Sequence, residues 1–184
     1  MSEPAGETAA LRVRAVESSD VPRVWEMLRR LAEYEKLTDY LSGTPEMLRE
    51  ALFGSGPRAE GLVAEHDGRF VGYALFYPAF SSFRARWRLW LEDLFVEEDA
   101  RGAGAGVALM AELARIAKHR GFASVDWEVI DWNQPAIDFY ERLGSQRIAT
   151  DWFRYRLEGE ALRTMASARP PPPGQASPRA ARAP

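Results

Sequence analysis

The spacing of apolar residues changes period several times along the chain, and each change marks an element. Leu11 to Val16 alternates apolar and polar, the period-two pattern of a strand. Ser18, Ser19 and Asp20 then offer helix caps, with Pro22 tolerated in the first turn. Val21, Val24, Trp25, Leu28, Leu31 and Ala32 recur at helical spacing and predict a helix to about Tyr34. Glu35 to Tyr40 reads as a polar loop flanked by aromatics. Thr44-Pro45 opens a second, short helix that stops before Gly54-Ser55-Gly56-Pro57. Leu62 to Glu65 and Phe70 to Tyr77 read as strands joined by an Asp67-Gly68 hairpin turn, the second closed by Pro78. Ala79 to Arg86 is expected to be a loop.

Leu89 to Val96 predicts a strand that passes through an acidic turn, Glu97 to Asp99, into a glycine-rich loop. That loop opens a helix from about Val107 to His119, whose apolar face is Leu109, Leu113, Ile116 and Ala117 and whose stop is Gly121. Ser124 to Ile130 reads as a further strand. Asn133 caps the next helix, with Pro135 in its first turn and Ile137, Phe139, Tyr140 and Leu143 following until Gly144. Arg147 to Leu157 includes a final strand and Ala161 to Met165 a last helical turn. The order β-α-α-β-β-β-α-β-α-β is that of an α/β fold, a mixed, mostly antiparallel twisted sheet flanked by helices.

Composition narrows the chemistry. The 184 residues suffice for one domain with a proper core, expected over 11–166. Residues 1–10 are small and polar and read as a disordered leader; 167–184, rich in Pro, Ala and Arg, read as a disordered tail. The absence of cysteine excludes a disulfide framework, a thiolate metal site and a cysteine nucleophile. The two histidines, His66 and His119, lie far apart, so no metal site is expected. No apolar run approaches a membrane span, and no secretory signal opens the chain, so a soluble cytoplasmic protein is expected. Net charge is −3, but the tail carries three arginines and no acid, leaving about −6 on the body. Such a body argues against nucleic acid and suits a cationic substrate.

Arg101-Gly102-Ala103-Gly104-Ala105-Gly106 has the makings of a pyrophosphate cradle. A helix start presents unpaired N–H groups and the positive end of the helix dipole, the glycines let a phosphate reach the backbone, and Arg101 adds a cation. A flexible surface turn is the alternative. Neither common nucleotide motif fits: Gly106 is followed by Val107-Ala108 where a P-loop needs Lys-Ser/Thr, and no Gly-x-Gly-x-x-Gly frame closes on glycine. Arg-x-x-Gly-x-Gly, read as Arg101, Gly104 and Gly106, does fit, and it resembles the acetyl-CoA signature of the GCN5-related N-acetyltransferases (GNAT). Leu31 to Glu35, Leu89 to Val96 and Trp132 to Gly144 add a resemblance to the diamine (spermidine/spermine) N-acetyltransferase branch that runs from about Leu11 to Ala166.

The resemblance implies acetyl-CoA as cofactor, a small primary amine as substrate (a polyamine, a diamine or a lysine-like amine) and a homodimer. With no cysteine to acylate, direct transfer is simpler than a covalent relay. By position, Tyr140 is the general acid and Glu92 the group that positions the amine and takes its proton. A carboxylate on an otherwise apolar strand is expected to be buried with a raised pKa; a salt bridge to an arginine is the alternative. Leu94, Phe95 and Val96 are expected along the pantetheine arm, with a backbone N–H near Val96 as donor to the reacting carbonyl. Arg101, Gly102, Ala103, Gly104, Ala105, Gly106 and Val107 would hold the pyrophosphate, and Asn133, Pro135, Ala136 and Tyr140 complete the cofactor site. Tyr34, Glu35, Glu92, Asp93, Asp126, Trp127, Glu128 and Asp151 form the candidate amine site, since separated ammonium groups call for separated carboxylates and aromatic faces. A solvated outer face is the other reading of Asp126 and Glu128.

Arg84, Arg86 and Arg88 stand beside this acidic set and would repel a cation if they point inward; they are expected to pair with the carboxylates, to face the cofactor or to meet a dimer partner. The rival readings are acetylation of a protein or peptide amine, and a non-catalytic acyl-CoA-binding module.

Overall fold

The structure is a computed structural model that describes residues 11–56, 58–148 and 156–167. The chain divides into two compact units, Met1–Ser145 and Gln146–Pro184. In the first lie β1 (Leu11–Ala15), α1 (Val21–Tyr34), α2 (Pro45–Phe53), β2 (Glu60–His66), β3 (Arg69–Ser81), β4 (Arg86–Val96), α3 (Ala105–His119), β5 (Val125–Asp126) and α4 (Gln134–Arg142). The second contains α5 (Gly159–Ser167), longer than the single turn expected there.

Among the described residues, five strands lie in sequence order in one mixed sheet. The first four pair antiparallel, and β4 pairs parallel with β5. Connection length explains the change: tight turns join β2 to β3 and β3 to β4, whereas α3 carries the chain back to begin β5 in the direction of β4. The Asp67-Gly68 turn has φ of 53° and 72°, the left-handed pair that a two-residue hairpin needs.

Alternation along the strands builds two cores. On one face Leu62, Ala64, Ala74, Phe76, Leu89 and Leu91 pack with Leu109 and Leu113 of α3. On the other, Val63, Tyr73, Leu75 and Phe95 pack with Val21, Val24 and Met27 of α1 and Leu52 of α2.

β4 changes phase partway along. Leu75 pairs with Asp93 but Phe76 with Leu91, so Glu92 is an extra residue, a β-bulge. Before the bulge Leu89 and Leu91 face α3; after it Leu94 and Val96 do, and Asp93 joins Phe95 on the α1 side.

Several boundaries differ from expectation. β3 continues through Pro78 to Ser81, because β2 pairs with β3 only as far as Phe76 and the missing N–H of Pro78 faces an edge with no strand partner among the described residues. The expected loop 79–86 shrinks to a turn at 82–85, and Arg86 to Arg88 join β4. The strand expected over 124–130 is only Val125–Asp126. Of the final strand expected over 147–157, residues 149–155 lie outside the described residues, and 147, 148, 156 and 157 are not in a strand. Among the described residues no helix is long and apolar enough to cross a membrane.

Leu109 is fully buried where α3 crosses the sheet. Leu109→Ala should therefore lower unfolding free energy by about 2–5 kcal/mol in urea titration; a change below about 1 kcal/mol would contradict this packing.

Candidate active site

Three elements meet at the C-terminal end of β4. The acidic turn after Val96 leads into the glycine-rich loop, and Gly104, with φ of 88°, forms the left-handed cap from which α3 departs. The first-turn N–H groups of Ala105, Gly106 and Val107 have no intrahelical acceptor. Arg101 donates from Nε to the Val96 carbonyl at 3.2 Å and lays its guanidinium 5.5 Å from the Tyr34 ring. A cavity of about 480 Å³ lies alongside, lined by Arg23, Arg30, Tyr34, Phe95, Glu97 and Arg101 among others.

Glu97, 6% exposed, fixes this corner. Arg23 and Arg30, two turns apart on α1, donate to its two oxygens at 3.0 and 2.7 Å. Its N–H donates to the Val71 carbonyl at 2.9 Å. Successive strand residues send their N–H groups to opposite edges, so the N–H groups of Leu94 and Val96 face the β5 side. There β5 pairs with β4 only at Leu89 and Trp90, and the edge beyond stays open among the described residues. An open strand edge ending in a glycine-rich helix start suits an extended arm that carries a pyrophosphate, which fits acetyl-CoA.

α4 brings Tyr140. Asn133 caps the helix by accepting from Ala136 N at 3.3 Å, and the same Oδ1 accepts from the Tyr34 hydroxyl at 3.0 Å. The C-terminal end of α1 is thereby tied to the start of α4, where Pro135 is exposed and Ala136 half-buried. Tyr34 also meets Trp132 at 6.0 Å. The Tyr140 ring lies 4.8 Å from Trp127. Burial, then the nearby negative charges of Glu35 and Asp93, push its phenol up to about 12.

The neighbouring carboxylates Glu92 and Asp93 divide between an exposed and a half-buried position. Glu92 is exposed, accepting from Trp90 Nε1 at 2.9 Å and Tyr77 OH at 3.3 Å. The burial expected of Glu92 is not found; its neighbour Asp93 is half-buried, because the bulge turns Asp93 toward α1. Burial first, then repulsion from Glu92 and Glu35, raises its carboxyl to about 7. Burial also raises Glu35. Tyr73, fully buried behind them, has a hydroxyl with no partner among the described residues and a phenol pushed well above its usual range. Nothing in the chain's pattern singled out Tyr73 or the grip on Glu97; the signal for the grip is Arg23 and Arg30 on one stripe of a helix with an acid across from it.

Asp126 is not free for a cation: Arg88 Nη1 donates to it at 2.8 Å. Arg88 thus pairs with a carboxylate, whereas Arg84 and Arg86 are exposed at the hairpin tip. Glu128 is exposed. Asp151 lies outside the described residues.

Comparison with known proteins agrees with this architecture. Residues 24–145 match the model of the acetyltransferase (GNAT) family, and the chain belongs to that family. A thialysine N-epsilon-acetyltransferase of Sus scrofa is 35% identical over 168 residues, covering 86% of this chain and 98% of the relative. An L-ornithine N5-acetyltransferase of Arabidopsis thaliana is 28% identical over 209 residues, covering 89% and 91%. An integron cassette protein from the mobile metagenome of V. cholerae shares the fold, with a TM-score of 0.68 at 24% identity over 86% of this chain and 98% of that one. Family and relatives together make this an N-acetyltransferase.

The elevated Asp93 has a consequence for stability. Its folded pKa, about 7, stands above the ordinary 3.8, so the folded state holds a proton that the unfolded state has released. Stability therefore falls as pH rises from about 4 to about 7. Asp93→Asn removes this loss, and its unfolding free energy relative to wild type should grow by a few kcal/mol between pH 4 and pH 8. Parallel stability curves for the two proteins would contradict the burial.

Proposed function

We propose that the protein transfers acetyl from acetyl-CoA directly to a small primary amine. One juxtaposition carries the reading: Glu35 and Asp93 lie close enough to Tyr140 for their charges to raise its phenol, next to the open edge of β4. The relatives named for acetylating thialysine and ornithine support the same class of acceptor. When bound, acetyl-CoA supplies the activated acyl group as a thioester. The residues that would hold it are Arg101 to Val107, the edge Leu94–Phe95–Val96, and the start of α4 at Asn133, Pro135 and Ala136.

The remaining work belongs to the chain. A primary amine arrives protonated, with an ordinary pKa of about 10.4, and the half-open carboxylate cleft of Glu92, Asp93 and Glu35 attracts it. Glu92, at the exposed end, receives the cation. Asp93, poised near neutrality, takes the proton that the amine loses before attack. This moves the base from Glu92, where position alone put it, to its neighbour. The Val96 N–H is a donor already fixed in place for the carbonyl oxygen, so it needs no reorganisation at the moment of reaction. Tyr140 keeps its proton through the neutral range and holds it at Oη as the acid for the leaving group. The reading also takes the protein as a cytoplasmic homodimer, following the branch it resembles.

Incubation with acetyl-CoA and a panel of amines, followed by thiol release, tests this. Release with small amines is the expected result; release with peptides alone would favour a protein amine as acceptor. No release despite acetyl-CoA binding would leave only an acyl-CoA-binding module. Tyr140→Phe should lower turnover by about 10²–10⁴-fold with little change in cofactor affinity; unchanged turnover would remove Tyr140 from the mechanism.

A further inference from the structure

Tyr73 is the largest fully buried side chain among the described residues, and it carries a hydroxyl into an otherwise apolar core. It packs with Val24, Met27, Val63, Leu75 and Phe95, its ring 6.3 Å from that of Phe95. The hydroxyl is enclosed and has no hydrogen-bond partner among the described residues. A phenylalanine would fill the same space without burying an unsatisfied polar group, so the hydroxyl costs stability unless it has a use.

The register of the sheet puts an acid beside it. Tyr73 pairs with Phe95, and Leu75 with Asp93. After the bulge Asp93 and Phe95 share the α1 face, so Tyr73 and Asp93 are diagonal neighbours there. Such neighbours stand about 7–8 Å apart at Cα, within reach of an aromatic side chain. The charges of Asp93 and Glu35 both act on the Tyr73 phenol, which brings the three groups together. Among the described residues no hydrogen bond steadies the Asp93 carboxyl; burial and the charges of Glu92 and Glu35 act on it. The other groups around it do not fill that need. Glu92 and Glu35 are acids, and Tyr140 of α4 keeps its proton for the leaving group. α1 and α2 turn apolar side chains to this cluster, and Arg23 and Arg30 of α1 are engaged by Glu97. One buried donor and one half-buried acceptor, each without a partner, thus lie on one face of adjacent strands.

We propose that Tyr73 is a positioning residue for the proton transfer, its hydroxyl donating to the Asp93 carboxylate in the base form of the site and fixing that carboxylate toward the amine. The assignment rests on the reading of Asp93 as the base. A hydrogen bond made to the charged form favours that form, so Tyr73 offsets part of the burial and repulsion that oppose the ionised Asp93. A turn of the half-buried carboxyl about its side-chain bonds closes the contact, and the Tyr73 ring keeps its place in the core. Tyr73 itself touches neither amine nor cofactor. No proton leaves it, because its phenol stands well above the usual range and donates without ionising.

Tyr73→Phe in the full chain removes the hydroxyl and keeps the ring. In carboxyl-carbon NMR titration the Asp93 resonance should then titrate about one pH unit higher than in the wild-type protein, a tenfold weaker acid. In a thiol-release assay with a small amine, kcat/KM of the variant should be about tenfold below wild type at pH 6, and the ratio should narrow as pH rises past 8. A merely structural role would lower kcat/KM by the same factor at every pH. An Asp93 midpoint that is unchanged or lower in Tyr73→Phe would overturn the assignment alone, as would a ratio independent of pH. Undiminished release by Asp93→Asn would overturn the reading of Asp93 as the base, and this assignment with it.

Discussion

β4 has one residue more than the stretch of β3 it pairs with, and much of the site depends on where the surplus lies. Glu92 is the extra residue. Without it, strict alternation would keep Asp93 on the face of Leu91 and Leu89, against α3. With it, Asp93 turns to the α1 side, into the company of Glu35, Tyr73 and Tyr140. A carboxylate held there by packing has few ways to stay charged, so its pKa moves to the range useful to a base at neutral pH. The same phase change points the backbone N–H groups of Leu94 and Val96 toward the unpaired edge. One bulge therefore arranges both the proton acceptor and the backbone donors, the kind of re-aiming for which bulges serve.

The surrounding structure holds this arrangement from three sides. Glu97 anchors the strand's end to α1 through Arg23 and Arg30, and with two arginine partners its burial is compensated. Tyr34 ties the end of α1 to Asn133, and through that cap to the helix that carries Tyr140. Arg101 closes the ring by touching both the Val96 carbonyl and the Tyr34 ring. The cradle for the phosphates and the pocket for the amine share these supports, so a change at Glu97 or Tyr34 reaches both without either residue entering the chemistry.

Much of this was legible in the sequence, and the boundary of legibility is physical. Period, caps and turn residues gave the nine strands and helices of the first unit in order, because each is a local signal: Thr44-Pro45, Asp67-Gly68 and Asn133-Gln134-Pro135 all act where they were read. Gly104 was legible as a loop glycine and proved to be the left-handed cap of α3. The error at Pro78 came from treating a proline as a strand end without knowing where the neighbouring strand stops. The burial of Glu92 was misjudged for a deeper reason. An alternating pattern predicts faces only if the register is continuous, and a bulge is a property of two strands rather than one. That Arg88 would pair with a carboxylate was among the expectations; which carboxylate, Asp126, depended on a strand distant in sequence. The remaining expectation, Asp151, lies outside the described residues.

The central claim is that the half-buried Asp93 carboxyl titrates near neutrality beside Tyr140. Carboxyl-carbon NMR titration of the labelled protein measures it directly. One side-chain resonance should titrate near pH 7 and vanish in Asp93→Asn while persisting in Glu92→Gln. A spectrum in which no carboxyl titrates above about pH 5, or in which the resonance near 7 survives Asp93→Asn, would contradict the account.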